Sequence, residues 1–350
     1  MKPAGLYVHF PFCRRACFYC HFFKRPYREA EAGAWLRLAC REMEMRRDPA
    51  RAVDSVYFGG GSPSLLAPGQ VSRLLQAAAR HFRLAPACEV TLEANPEDLT
   101  PSRLQGLRRA GVNRLSVGVQ SFQDRDLRFL RRSHDAAAAF AAAAMAGDAG
   151  LANVSLDLMA GLPTQTARSM EANVRDIEAL KPAHVSVYIL EGVPRPESGE
   201  RDAQLYIKAR RALTDLGYRH YEVSNFCRSG RDSRHNLKYW RMGSYIGIGP
   251  SAAGFLDGRD YRNVSDLGRY SVALSRGALP ETRTRRLDPV RRRIITGLRL
   301  LPGLPASAFA AFPRETAFLL QEGLLARNRR NIAVPEEKIL LLNEILGYFI

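Results

Sequence analysis

Short apolar runs recur along the first half of the chain at spacings that alternate with helical patterns. Leu6–Phe10, Ser55–Phe58, Glu89–Glu93, Arg114–Val119, Val154–Met159 and His184–Leu190 read as six strands. Between them, residues compatible with one-sided helices occupy Glu29–Arg46, Pro68–Phe82, Pro101–Ala110, Ala136–Ala149 and Ala167–Leu180, with a shorter turn at Asp124–Arg131. Strand and helix in strict alternation predict an α/β fold with a parallel sheet and right-handed crossovers. Six such units fall short of the eight of a closed barrel, so the expectation is a partial (βα)6 barrel over residues 1–195.

The pattern changes beyond residue 195. Arg201–Leu216 reads as helix and Tyr218–Val223 as strand. A loop is expected over Asn225–Arg234, and Tyr245–Gly258 is rich in glycine and small residues. We expect residues 196–285 to extend the barrel. Residues 286–350 read as a smaller, mostly helical, winged-helix-like module with little strand. Ala136–Ala144 is nearly all alanine, which gives helix propensity and no function.

Length and composition add bounds. The 350 residues are 46% hydrophobic and 25% charged, as in a globular protein with an ample core. No run of 18 apolar residues is present and no secretory leader is visible, so the expected location is cytoplasmic. The net charge of +17 admits three explanations: nucleic acid, an anionic ligand or membrane surface, or a scattered arginine bias. No basic stretch is interleaved with aromatics as a stacking platform requires, so no nucleic-acid partner is expected.

The six cysteines carry more information. Cys13, Cys17 and Cys20 lie within eight residues, directly after the first strand, whereas Cys40, Cys88 and Cys227 are isolated. That distribution suits a metal site in a reducing compartment better than a disulfide framework. Three thiolates at C-x3-C-x2-C spacing can hold three irons of one [4Fe–4S] cluster and leave the fourth open. A tetrahedral zinc ion completed by His9 or His21 is the alternative. Downstream, Gly59-Gly60-Gly61-Ser62-Pro63 closes the second strand. Glu93, Gln120 and Asp157 stand at the carboxyl ends of the third, fourth and fifth. A parallel barrel builds its active site from those ends.

Cys13-Arg14-Arg15-Ala16-Cys17-Phe18-Tyr19-Cys20, following Tyr7-Val8-His9-Phe10-Pro11-Phe12, resembles the cluster loop of radical S-adenosylmethionine (SAM) enzymes. More closely it resembles their oxygen-independent coproporphyrinogen oxidase group, over about residues 5–255. The resemblance implies a partial (βα)6 barrel, a [4Fe–4S] cluster on Cys13, Cys17 and Cys20, and bound SAM. Gly60, Gly61 and Ser62 match the element that holds the SAM amino group, with Ser62 in place of the usual Thr. Glu93, Gln120 and Asp157 match contacts to its amino-acid or ribose part. Arg132 matches a partner of its carboxylate, and Arg131 stands where the family usually has Gly. Tyr7 and Tyr19 match positions flanking cluster and cofactor.

Two features point to the HemW-like heme-chaperone branch. Phe22 stands where the oxidases carry a further cysteine, and only twelve residues precede Cys13, fewer than the oxidases carry. His235-Asn236-Leu237-Lys238-Tyr239-Trp240 matches an H-N-x-x-Y-W motif associated with heme. Histidine is a common axial ligand of heme iron, and Tyr239 and Trp240 offer flat apolar surface to a porphyrin. A buried histidine in an aromatic packing cluster is the bland alternative. Arg228, Arg231 and Arg234 are available to neutralise heme propionates, and Cys227 is a further candidate iron ligand.

The branch implies heme, an electron donor and a client hemoprotein as partners, the client class being respiratory enzymes at the inner membrane, with peripheral attachment there. The rival functions are an oxygen-independent coproporphyrinogen III oxidase, a heme-degrading radical SAM methyltransferase, and a charge-driven RNA-binding protein. The chain departs from the pattern at Arg14, Arg15 and His21 beside the cluster, where added positive charge would raise its reduction potential. It departs again at Asn331–Glu337.

Overall fold

The computed structural model describes residues 2–190, 198–282 and 288–350. The expected boundaries at 195–196 and 285–286 lie outside the described residues. The six strands form where expected: β1 Ala4–Phe10, β2 Asp48–Gly60, β3 Phe82–Ala94, β4 Arg114–Gln120, β5 Val154–Ala160 and β6 His184–Ile189. Each pairs in parallel with the next. Helices α1 Glu29–Met45, α2 Pro68–His81, α3 Pro101–Ala110, α4 Asp124–Phe129, α5 Ala136–Asp148 and α6 Ala167–Leu180 make the crossovers.

Local chemistry fixes several ends. The Thr100 hydroxyl accepts from Arg103 N and Pro101 opens α3. Gly111 ends that helix in the left-handed region at φ 111°.

The two faces of the strands divide by chemistry. Leu6, Val8 and Phe10, with Val56, Phe58, Val90, Leu92, Leu115, Val117, Leu156, Leu158, Val185 and Val187, are buried in the core. Their alternate neighbours are Gly5, Tyr7 and His9 on β1, Ser55, Tyr57 and Gly59 on β2, Glu89, Thr91 and Glu93 on β3, Arg114 and Ser116 on β4, Ser155 and Asp157 on β5, and His184 and Ser186 on β6. Register aligns these polar positions row by row, Tyr7 opposite Tyr57, Ser116 opposite Ser155, Asp157 opposite Ser186. Successive side chains point to opposite faces, so one face binds the helices and the other forms a polar interior.

The sheet is larger than the six units. It has twelve strands among the described residues. After helix α7 Ser198–Asp215 come β7 Arg219–Glu222 and β8 Asn225–Cys227, the latter antiparallel to β6. The expected loop at Asn225–Arg234 thus carries a strand and leads into helix α8 Arg234–Trp240. On the opposite edge, β9 Tyr245–Ile248 pairs with β1 and is a seventh parallel strand. It is followed antiparallel by β10 Ala253–Leu256, β11 Arg259–Asn263 and β12 Glu281–Thr282. The glycine-rich character there has a steric cause: a Cβ on Gly247 would lie 2.1 Å from the Ala253 carbonyl oxygen.

The C-terminal segment packs helices Pro289–Gly297, Pro313–Gln321 and Leu342–Gly347 with a three-stranded sheet of Leu304–Pro305, Ala326–Asn328 and Asn331–Ala333. Helices with a small antiparallel sheet fit the winged-helix-like expectation. No described helix is long and apolar enough to cross a membrane.

Candidate functional site

The cysteine loop leaves the carboxyl end of β1 and is tied at its base. Phe12–Cys13 pairs with Arg25–Pro26, Arg25 N donates to Pro11 O at 2.7 Å, and Tyr27 N donates to Cys13 O at 2.9 Å. Within the loop Cys20 N donates to Cys17 O at 3.3 Å, and Lys24 Nζ to Cys20 O at 2.5 Å. Cys13, Cys17 and Cys20 are all half-buried and reduced. Burial pushes the Cys13 thiol up; a hydrogen bond with Ser62 opposes this, and the charges of Cys20 and Cys17 add to it.

Three thiols in one loop are the donor set of a [4Fe–4S] cluster with one open iron. Among the described residues no three His, Cys, Asp or Glu side chains converge as a metal-ion site. His9 is spent as a zinc ligand, because Nδ1 bonds the Tyr7 hydroxyl at 3.1 Å and Nε2 the Phe23 carbonyl at 2.9 Å. His21 is exposed. Of the two arginines beside the cluster, Arg14 is ion-paired to Asp98 at 3.2 Å, which offsets its charge locally.

The glycine loop is sewn to the cysteine loop. Gly61 N donates to Phe10 O at 2.7 Å and Ser62 N to Phe12 O at 2.8 Å. A Cβ on Gly61 would meet Phe12 O at 2.5 Å and Phe10 O at 2.7 Å, so only glycine fits. Gly60 takes φ 107°, a conformation suited to glycine.

Glu93 reaches this loop from β3. Its carboxylate accepts from Gly60 N at 3.1 Å and from the Tyr57 hydroxyl at 2.9 Å. Burial raises the Glu93 carboxyl to about 7. Asp157 accepts from Ser116 Oγ at 3.1 Å and Ser155 Oγ at 3.3 Å, and burial raises it as well. Gln120 ends β4 in the left-handed region at φ 69°.

Arg132 points at the cluster loop. Its Nη2 donates to Asn95 Oδ1 at 2.7 Å and Gly118 O at 3.0 Å, and Nη1 lies 3.8 Å from Cys17 Sγ. The Tyr19 hydroxyl lies beside Arg132 and Cys17 and interacts with both side chains, and burial opposes its ionisation most strongly. Arg131 is exposed at φ 55°, which accounts for the preference for Gly there and separates its role from that of Arg132. The glycine cradle, the carboxylates and the Arg132 guanidinium fit a zwitterionic ligand over the three thiols.

The heme motif lies on helix α8. His235 is 0% exposed in the barrel interior. Its Nδ1 bonds Ser55 Oγ at 3.0 Å and its Nε2 the Tyr239 hydroxyl at 2.9 Å, so neither nitrogen is open to an iron. Trp240 packs against the buried cluster of Tyr221, Cys227 and Leu237, and Arg299 lies 5.3 Å from its ring centroid. Tyr239 packs edge-on to Tyr245. Ser233 caps the helix start, its Oγ accepting from the backbone N–H of the half-buried Asn236 at 3.3 Å. His235 is thus engaged within the protein, whereas Tyr239 and Trp240 are half-buried. Cys227 is buried, with its thiol 3.5 Å from Asp232 Oδ1. Arg228 stacks on Tyr218, Arg234 donates to Ala87 O, and Arg231 is exposed.

Three participants went unremarked in the sequence. Tyr57 holds Glu93. Asn95 donates to Ser62 Oγ at 3.0 Å while accepting from Arg132. Arg114 is 1% exposed with an unpartnered Nε, and its charge lowers the pKa values of Glu93 and Asp157. Period-two placement on the strands (55, 57, 59 and 91, 93, 95) was the available signal.

Comparison with known proteins agrees with this geometry. Residues 7–177 match the model of the Radical SAM superfamily. The chain is 31% identical over its whole length to the heme chaperone HemW of Bacillus subtilis, covering 99% of that protein. It is 40% identical to the bovine mitochondrial radical S-adenosyl methionine domain-containing protein 1, over 72% of this chain, and spans 61% of that protein's length. Among solved structures, the Escherichia coli coproporphyrinogen III oxidase HemN, a radical SAM enzyme, superposes with a TM-score of 0.85 at 26% identity, covering 99% of this chain and 90% of that one.

Proposed function

Since the chain belongs to the radical SAM superfamily and, within it, to the HemW family of heme chaperones, we propose that it binds heme and hands it to client hemoproteins, using a cluster-and-SAM unit to drive or gate the transfer. The observation that carries this reading is the collinear match to a heme chaperone over 100% of the chain. Cys13, Cys17 and Cys20 would hold the [4Fe–4S] cluster. When bound, the cluster supplies an electron to the SAM sulfonium at its open iron.

The chain's own residues do the rest. Gly60, Gly61, Ser62 and Glu93 bind the SAM amino group, and Arg132 pairs with its carboxylate from beside Cys17. Gln120 and Asp157 orient the remainder, while Tyr7 and Tyr19 bound the cofactor on either side. Glu93 changes protonation near neutral pH, so it receives a cationic amino group best in its ionised form. Heme propionates and anionic lipid both suit the +17 charge. The finer reading is a cytoplasmic carrier working at the inner membrane on a respiratory client, supplied by a separate electron donor.

A second reading is favoured by the close superposition on HemN: radical oxidative decarboxylation of coproporphyrinogen. The exposed Phe22, at the position of the oxidases' extra cysteine, favours the chaperone. One experiment separates them. The protein is reconstituted anaerobically with iron and sulfide, titrated with heme by absorbance, mixed with an apo-hemoprotein, and assayed for coproporphyrinogen turnover. Saturable heme uptake and transfer without coproporphyrinogen consumption is expected. Robust decarboxylation without specific heme binding would establish the oxidase instead.

A further inference from the structure

We propose that His235 is a positioning residue of the SAM site, built into the barrel floor beneath it, and that heme iron takes its axial ligand from another group. The heme half of this inference rests on the carrier reading above; the SAM half does not.

Valence comes first. A neutral imidazole has one donor and one acceptor nitrogen. Ser55 takes one at 3.0 Å and Tyr239 the other at 2.9 Å. Burial, with the positive charges of Lys238 and Arg114, holds His235 neutral, its pKa down at about 3. Ligating iron would require breaking one of these bonds and leaving a buried polar group unmet.

Access is closed as well. The ring lies against the β1 backbone, where a Cβ on Gly5 would come within 2.8 Å of Cε1. The His235 N–H donates to Glu89 Oε1 at 3.2 Å, which fastens the start of α8 to β3. Lys238 pairs with Asp54 at 2.6 Å and donates to Pro3 O at 2.9 Å, fastening the same helix to β2 and the chain start. A porphyrin cannot reach this nitrogen without lifting the helix from the sheet.

The ring does reach the SAM loop through contiguous packing. His235 faces Tyr57 at 5.2 Å between centroids and 31° between planes, and Tyr7 at 6.3 Å and 33°. Tyr57 donates to Glu93, and Glu93 accepts from Gly60 N. The imidazole thus supports the phenol that aims the carboxylate at the glycine loop. Tyr239 and Ser55 set the imidazole's plane in turn.

The test uses the full chain, reconstituted with its cluster, as His235→Gln, Tyr57→Phe and the double variant. SAM dissociation constants are measured by equilibrium binding. Heme ligation is read from the absorbance spectrum and low-temperature EPR of the heme complex. His235→Gln is expected to weaken SAM by about three- to tenfold, the scale of one misplaced hydrogen bond. Tyr57→Phe is expected to do the same, and the double variant to lose little more than either single one.

The heme spectra should match the wild type. Additive SAM effects, or an unchanged SAM constant in His235→Gln, would overturn the positioning role. A changed axial-ligand signature in that variant would overturn the second half. Should His235→Gln fail to fold, Tyr239→Phe removes only a hydroxyl and poses the same two questions. A wild type that takes up no heme defeats the carrier reading and leaves the SAM arm decisive.

Discussion

The mouth and the floor of the barrel are both polar, yet they engage their polar side chains differently. At the floor each histidine is spent twice: His235 on Ser55 and Tyr239, His184 on Ser155 at 2.8 Å and Tyr221 at 2.9 Å. At the mouth, three thiols stand half-exposed and the Arg132 guanidinium lies 3.8 Å from one of them. The floor also holds unpartnered buried atoms, Arg114 Nε and Thr91 Oγ1, so an unmet polar group does not by itself mark a ligand site. What distinguishes the mouth is accessible thiols beside a cation.

The sharpest way to break this contrast is at the thiols. Cys17→Ala should abolish reconstitution of the cluster, with iron and sulfide content falling to background, while the fold persists by circular dichroism. Retention of a stoichiometric cluster would remove Cys17 from the ligand set.

Next in size is the glycine seam. Gly61→Ala forces a methyl against two backbone carbonyls that cannot swing aside, and overpacking of this kind costs about 1–3 kcal/mol. Its denaturation midpoint should fall and SAM binding should weaken. Gly69→Ala, with nothing within 4 Å of the added methyl and a helical site in α2, should instead be neutral or stabilising by up to about 1 kcal/mol. Equal effects of the two substitutions would mean that close packing at the seam has no special weight.

The smallest effect is a pH dependence. Glu93 has an ordinary value of 4.5 and titrates near 7 when folded, because burial disfavours its charge. Between those values the folded state holds the extra proton. Its contribution is thus full below about pH 4.5 and is lost as pH rises through about 7. Glu222, raised to about 7 by burial, acts in the same direction. Glu93→Gln should flatten the fall in unfolding free energy between pH 5 and 8, leaving the share of Glu222. An unchanged slope would show that Glu93 stays ionised in the folded protein.

Legibility in the sequence followed the same division. The six barrel strands were readable because each apolar run is bounded by glycine, proline or a capped helix, as at Thr100-Pro101 and Gly111. The thiols and the glycine cradle were readable because their spacing is local.

What escaped was set by distant partners. β8, Asn225–Cys227, is three residues long and exists through its pairing to β6. β9 is hidden by Gly247, which is required by the approach of Ala253 rather than by any local turn. For His235 the motif was plain but its direction was not. Seven residues of α8 carry aromatic and polar groups all round, and only the docking of the helix decides which of them turns inward.

That helix also has a mechanical consequence. At 1.5 Å per residue it is a strut about 10 Å long. One end bears His235 beneath the glycine loop, and the other bears Trp240, with the Arg299 guanidinium of the C-terminal segment 5.3 Å from its ring centroid. Both anchorages belong to a single rigid turn-and-a-half with no glycine or proline to absorb a bend. A displacement at Trp240 would therefore be passed along the helix to the packing beneath the glycine loop.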